Sequence, residues 1–350
     1  MDNDGSQSAD PDPARRRAHA VVAAVAVAIG CAGAALASPP AVRMPKGELA
    51  GEYWDLIARL DSGQVLIAQT AITNLGVGDR HAAAIGDLVD PDGAVHRFKR
   101  SDDPGQWTLG EGGRVDLRSV ALDLGASPRR FEVARDELGI DLALERTSDA
   151  IAARDDGPCS FELLEPAAPA SARIRIGAAA PVATHGRVAL VHRWSSGLES
   201  DCVLRRVELF VLEPDLGVYF AETTTPAGAV SRRLVAERGG KVVFAGDPER
   251  ASVRFGPGAT GFATPEAIEF AAAGLAGTAR VGATLASIDP TERLPAPVQW
   301  LVATRTRPRL TWLRAPFELV AGGRRVAGEA VAKITYSNPL STRVAAHSEE

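Results

Sequence analysis

The sequence predicts an all-β, antiparallel fold built in two successive parts, and three observations carry that expectation. Short apolar runs that alternate with polar positions recur from Gly51 to Tyr336, the period-two mark of half-buried strands. Turns rich in Gly, Asp and Pro separate the runs at regular spacing, as in a sandwich or barrel. The runs are too many for one small barrel. They thin out at 148–170, SDAIAARDDGPCSFELLEPAAPA, where a junction between two parts is expected.

The elements follow in order. EYWDLIARLDSGQVLIAQTAITN at 52–74 reads as a strand, a tight Asp61-Ser62-Gly63 turn and a second strand. AIGDLVDPDGAVHRF at 84–98 repeats the pattern around Pro91-Asp92-Gly93. RVDLRSVALDLG, RFEVARDELGIDLALER and ARIRIG continue the series. Beyond residue 186 it resumes with RVALVHRWSS, LRRVELFVLEPDLGVYFAETTT, SRRLVAE, KVVFAG and ASVRFG. TARVGATLASI, VQWLVATRT and RLTWLRAPFELVAGGRRVAGEAVAKITYS complete it, with Gly322-Gly323 as a hairpin turn. Residues 264–274 alone have a helical look. DSGQVLIAQT at 61–70 and DLGVYFAET at 215–223 echo each other, as a duplicated unit would.

Residues 1–37 read as an export signal outside the fold. Arg15, Arg16 and Arg17 form a positive lead, Ala18 to Gly30 an apolar stretch, and Ala35-Leu36-Ala37 a cleavage pattern. AIGC at 28–31 offers a second reading, a lipid-bearing Cys31 that holds the chain at a membrane, and an uncleaved anchor is a third. Each places the protein outside the cytoplasm, in the periplasm or cell envelope. The expected divisions are 38–165 and 166–340 for the two β parts and 341–350 for a disordered tail. After the signal only Cys159 and Cys202 remain, and in an oxidising compartment they are expected to pair.

The composition excludes some partners. A net charge of −5 and the lack of a basic run with interleaved aromatics argue against nucleic acid. There is no G-x-S-x-G, H-E-x-x-H, phosphate-binding or dinucleotide-binding pattern. No His pair has metal-ligand spacing on one element, so neither a metal nor a cofactor is expected.

LVHRWSSG at 190–197 is the stretch with chemical content. On a strand, Val188, Leu190, His192 and Trp194 share one face and Arg193 the other. Arg193 is expected in solvent, which turns His192 and Trp194 inward, either as core residues or as the wall of an apolar cavity. In VYFAETTT, Tyr219 and Ala221 share one face and Glu222 the other; if one face is inward the other is not.

These residues resemble the tandem lipocalin-like family that includes carotenoid 1,2-hydratases (hydroxyneurosporene synthase-like), tocopherol-cyclase-like and survival-factor-like proteins. Glu52-Tyr53-Trp54 looks like the family's aromatic opening strand. His192-x-Trp194 with Tyr219 looks like the pocket signature of the hydratase branch, in which an acid two positions after the tyrosine protonates an isoprenoid double bond. Ala221 stands there, and the nearest acid, Glu222, is one residue out of phase. The resemblance implies two tandem lipocalin-like β-barrel domains. It implies a cavity for a hydrophobic small molecule, a lipid or isoprenoid, lined by Trp54, His192, Trp194 and Tyr219. Without the acid, the first expectation is an exported binding protein. The second is a lyase, hydratase or hydrolase using His192 with Glu222 or Asp55. A structural β protein without a ligand is the third.

Overall fold

The structure is a computed structural model that describes residues 42–44, 46–74, 79–145, 154–156, 158–256, 262–293, 299–300 and 306–338. The export signal with Cys31 and the tail at 341–350 lie outside the described residues. The first half carries β1 (Gly51–Leu60), β2 (Val65–Thr73), β3 (His81–Val89), β4 (Val95–Asp102), β5 (Thr108–Leu109), β6 (Arg114–Asp116), β7 (Val120–Asp123), β8 (Arg129–Ala134), β9 (Leu138–Leu144), β10 (Arg154–Asp156), β11 (Cys159–Ile176) and β12 (Val182–Ser195). The second carries β13 (Arg205–Glu213), β14 (Leu216–Thr224), β15 (Val230–Arg238), β16 (Lys241–Gly246), β17 (Arg250–Phe255), β18 (Pro265–Ala272), β19 (Leu275–Arg280), β20 (Thr284–Ile288), β21 (Arg309–Ala321) and β22 (Arg324–Tyr336).

Each half is one curled antiparallel sheet, and the two share a plan. The first runs β4-β3-β2-β1-β12-β11-β9-β8-β7 and on to β6 and β5; the second runs β16-β15-β14-β13-β22-β21-β19-β18-β17. In both, a four-strand meander is joined through its first strand to the last strand of the same half. The echoed segments fall on matching hairpins, β1–β2 and β13–β14. This is the two-part all-β architecture that the strand pattern predicts.

The segment at 148–170 behaves differently from its composition. From Cys159 it enters β11, an 18-residue strand of the first sheet; register shifts between Leu163 and Ala168 carry it past Pro166, and Pro169 pairs with Arg187 in the ladder. The chain leaves the first sheet after Ser195 and joins the second at Arg205. Residues 264–274 are not helical: they form β18 and its turn into β19, with Ala273 and Gly274 at φ 45° and 79°. The local alanine content had hidden the period-two spacing of Ile268, Phe270 and Ala272, which are buried in the second half's core.

Three apolar layers result. Leu56, Leu66, Phe98 and Phe131 fill the first half. Val207, Phe220, Phe270 and Phe317 fill the second. Between the sheets lie Ile57, Ile67, Val191, Phe210, Tyr219 and Trp312. The central strands β1, β12, β13 and β14 are therefore covered on both faces, which is why they read as long apolar runs. Each such side chain, once buried, contributes about 1.5–3 kcal/mol.

Cys159, at the start of β11, is bonded to Cys202 in the link between the halves, with Cα atoms 6.2 Å apart. The bond closes a sequence separation of 43 residues. Replacing both cysteines with serine is expected to cost about 4 kcal/mol by loop-closure entropy, measured as the shift in urea unfolding without reductant.

Candidate functional site

The strand alternation along β1 and β12 builds two polar clusters that never meet. One lies inside the first half, the other between the sheets.

The inner cluster is centred on His192. Cross-strand register sets Trp54 and Glu162 opposite it. His192 Nδ1 is 2.7 Å from Glu162 Oε1, and Nε2 is 2.7 Å from Glu52 Oε1. With an acceptor at both ring nitrogens, both must donate, and only the imidazolium does so. Burial opposes that charge, and the hydrogen bonds and charges of Glu162 and Glu52 overcome it, so the His192 pKa is raised. Burial likewise opposes ionised Glu162, but the bond from His192 and the nearby Arg43 hold its pKa down. Trp54 stacks on the imidazole with centroids 5.1 Å apart, and Trp194 lies 4.9 Å away. The backbone amides of Arg43 and Met44 donate to Glu52 at 2.8 and 2.9 Å.

The second cluster lies between the sheets. Arg193 is not in solvent as expected. Its face of β12 is covered by the second sheet, and it pairs there with both Asp55 and Glu208. Lys333 of β22, opposite Glu208 in register, donates to Asp55 Oδ2 at 2.6 Å and sits 3.8 Å from Glu208 Oε2. Gln69 donates to Asp55 at 2.9 Å and Tyr219 to Glu208 at 2.8 Å. Asp55, Glu208, Arg193 and Lys333 are all buried. Two carboxylates and two cations make the group formally neutral. Burial resists ionisation of Glu208, yet Arg193, Lys333 and Arg206 hold its pKa at about 2. Burial and the adjacent Glu208 push Tyr219 upward. Burial, with the charge of Arg193, drives the Lys333 ammonium well below the ordinary lysine range.

A cavity of about 90 Å³ opens onto this network. Gln69, Arg193, Arg206 and Lys333 form its polar wall, and Tyr53 and Leu310 are among its other lining residues. Leu49, Leu198 and Glu199 also line it. Arg193 Nε, Glu208 Oε2 and Trp312 Nε1 are buried in or beside the cluster without a hydrogen-bond partner. Such atoms are the exception in folded proteins. The cavity is far below the roughly 300–1,000 Å³ of sites that enclose a drug-sized ligand. It has room for the polar end of a molecule, not for a whole lipid or isoprenoid.

The structure brings Trp54, His192 and Trp194 together, as expected. Tyr219 lies between the sheets, away from them. Glu222 points to the opposite side from Tyr219. It is buried, and pairs with Arg232 at 2.9 Å and Arg205 at 3.8 Å. His192 and Glu222 therefore do not form one site. Among the described residues, no group of three His, Cys, Asp or Glu side chains is placed to hold a metal.

Lys333, Glu208, Gln69 and Glu162 escaped the sequence reading. A signal existed: EAVAKITY, RRVELFV and YWDLIA each carry one charge inside an apolar run. On a strand covered on both faces, that charge has nowhere to go but a partner.

No protein-family model matches the chain, and no curated protein sequence matches it. Solved structures do share its fold. A protein assigned as AttH from Nitrosomonas europaea is 13% identical, with TM-score 0.58, over 83% of this chain and 93% of that one. Kievitone hydratase from Nectria haematococca is 10% identical, with TM-score 0.57, over 86% and 94%. CghA, solved with Sch210972, is 13% identical, with TM-score 0.56, over 84% and 90%. The fold is thus the tandem lipocalin-like one.

Two outcomes follow from the clusters. Arg193→Met leaves two buried carboxylates short of a cation and should cost about 3–5 kcal/mol in urea unfolding. The His192 contribution has a definite sign in pH. Its folded pKa lies above 6.5, so its stabilisation is complete below that value and lost as pH rises through the raised one. Unfolding midpoints measured upward from pH 6 should therefore fall in the native chain and stay flatter in His192→Gln.

Proposed function

We propose that the chain is an enzyme that transfers a proton to the polar end of an unsaturated small molecule seated between its two halves, in a hydratase- or lyase-type reaction. One observation carries the reading: a buried lysine with a depressed pKa that lines a cavity and shares a carboxylate with an arginine. An ammonium so destabilised is a stronger acid than lysine in water. Asp55 keeps Arg193 as a partner when Lys333 gives up its proton, so the neutral amine leaves no bare carboxylate. In the hydration direction, Lys333 protonates an activated double bond and water adds to the electron-poor carbon. The proton lost by that water returns to the amine. The net change is addition of H and OH, with the enzyme restored.

The fold neighbours support the class. One is named a hydratase and another was solved with Sch210972. The unpartnered Arg193 Nε and Trp312 Nε1 support a ligand with an oxygen acceptor. The Cys159–Cys202 bond supports the exported setting, from which an apolar remainder of the ligand can extend out of the cleft.

Incubating the purified chain with a panel of α,β-unsaturated carbonyl compounds in ¹⁸O-labelled water tests this by mass spectrometry. Uptake of one labelled water is expected. Lys333→Met should slow it by about 10²–10⁴-fold, the usual worth of a general acid, while the ligand still raises the melting temperature. Full turnover in that variant would sink the assignment. Binding without turnover for every compound would return the chain to the carrier reading, a β-barrel protein holding a hydrophobic ligand.

A further inference from the structure

The mechanism above makes no use of His192, although it is completely buried between two carboxylates and two tryptophans. Its connections lead to the chain that precedes β1. Glu52 shares its carboxylate between His192 Nε2 and the amides of Arg43 and Met44. The Arg43 guanidinium lies 3.9 Å over the Trp194 ring and 3.7 Å from Glu162. Val42 and Met44 pack on the apolar interior of the first half. The same stretch then turns toward the cleft. Asn74 donates to the Gly47 carbonyl at 2.8 Å, and Leu49 is part of the cavity wall. A Cβ on Gly47 would meet the Ser196 carbonyl at 2.9 Å. The stretch therefore lies against the link between the halves, whose Leu198 and Glu199 also line the cavity.

Two residues of this strap sit in the left-handed region that L side chains rarely adopt, Met44 at φ 46° and Leu49 at φ 72°. Such conformations persist only where surrounding contacts impose them. For Met44 that contact is its own amide on Glu52.

We propose that His192 and Glu52 form a latch that holds residues 42–44 and 46–50 down as a strap, with Leu49 closing one side of the cleft. His192 is then a positioning residue and not a catalytic one. The groups facing it are Glu52 from β1, Glu162 from β11 and Arg43 from the strap. Arg129 of β8, bonded to Glu165 at 2.6 Å, is the next charge beyond them. When His192 loses its proton, Glu52 and Glu162 lose the cation between them. The neutral ring keeps one N–H for two carboxylates, so the bond it shares with Glu52 at Nε2 is weakened or lost, and the strap lifts more often. The value of such a gate rests on the cleft being the ligand site, but the gate can be measured without a substrate.

Two readouts on the full chain test it. The first is hydrogen exchange of the Arg43 and Met44 amides, corrected for intrinsic rates, from pH 6 to 9. The second is nitration of Tyr53, which lines the cleft, by tetranitromethane, expressed relative to N-acetyltyrosinamide at the same pH because the phenolate is the reacting form, with Tyr219 as the buried control. Protection of the two amides should fall at least tenfold as His192 titrates, and Tyr53 nitration should rise over the same interval. In Glu52→Gln both should be at the high-pH level at every pH. Constant protection across the pH range, in a chain whose β1 and β12 amides remain protected, overturns the latch. Loss of protection without faster Tyr53 nitration overturns the strap as a lid. If Glu52→Gln disturbs β1 itself, Leu49→Gly gives the second test of the lid. Glycine accepts the positive φ, and removing the side chain should speed Tyr53 nitration while the strap amides stay protected. A failure of the proton-transfer reading would leave both readouts unchanged.

Discussion

The Arg193 guanidinium, held between Asp55 of its own sheet and Glu208 of the other, is the interaction on which the arrangement of polar groups between the sheets depends. It lies where two apolar sheets meet, among Ile57, Val191, Phe210 and Trp312. Any carboxylate there must be paired or neutralised. Arg193 reaches both acids because a guanidinium presents several donors in a rigid fork. Lys333 then completes the charge balance. Apolar packing of the same volume would hold the sheets together as well or better, since paired buried charges rarely stabilise more than the hydrophobic groups that could replace them. The polar group is therefore weak evidence for stability and better evidence for chemistry at a cleft.

The architecture was legible in the sequence because strand alternation and turn residues are local signals. The matching hairpins at Asp61 and Asp215 were legible too, down to the shared Ala-[Gln/Glu]-Thr ending. Two segments misled for one reason, composition standing in for pattern. The proline- and alanine-rich segment at 148–170 looked like a junction, but from Cys159 it is strand: Pro166 falls where the ladder between β11 and β12 shifts register, and Pro169 pairs with Arg187. Alanine at 264–274 looked helical, but Ile268, Phe270 and Ala272 are buried at every second position, with Glu269 exposed between them, as in a strand.

The site was legible only in part, and the limit is physical. A period of two tells which residues share a face, not which face is wet. His192, Trp194 and Trp54 were placed together correctly because they share a face and a register. Arg193 was misplaced because a charge on a strand is normally outside, and nothing local announces that a second sheet will cover it. Tyr219 was grouped with His192 on the strength of a family pattern, but the two strands belong to different sheets and turn these residues to different spaces. Lys333 needed both halves of the chain: its partner Asp55 is 278 residues away.

Placing His192 and Arg193 side by side on one strand has a consequence for electrostatics. Adjacent residues point to opposite faces, so the backbone of β12 stands between two groups of charges with different tasks. The inner group is a charged histidine between two carboxylates, closed over by the strap and its two tryptophans. The titration of the histidine is tied to that of Glu162, whose pKa the histidine and Arg43 hold down. In the outer group Arg193 and Lys333 hold the Glu208 pKa at about 2, and Lys333, pushed well below the ordinary lysine range, is the member that gives up a proton. A proton leaving the histidine breaks no bond of Lys333, whose partners are Asp55 and Glu208. What changes instead is the grip on the strap, and through Leu49 the shape of the cleft. A strand buried on both faces can thus carry an acid–base site on one side and the restraint on its entrance on the other.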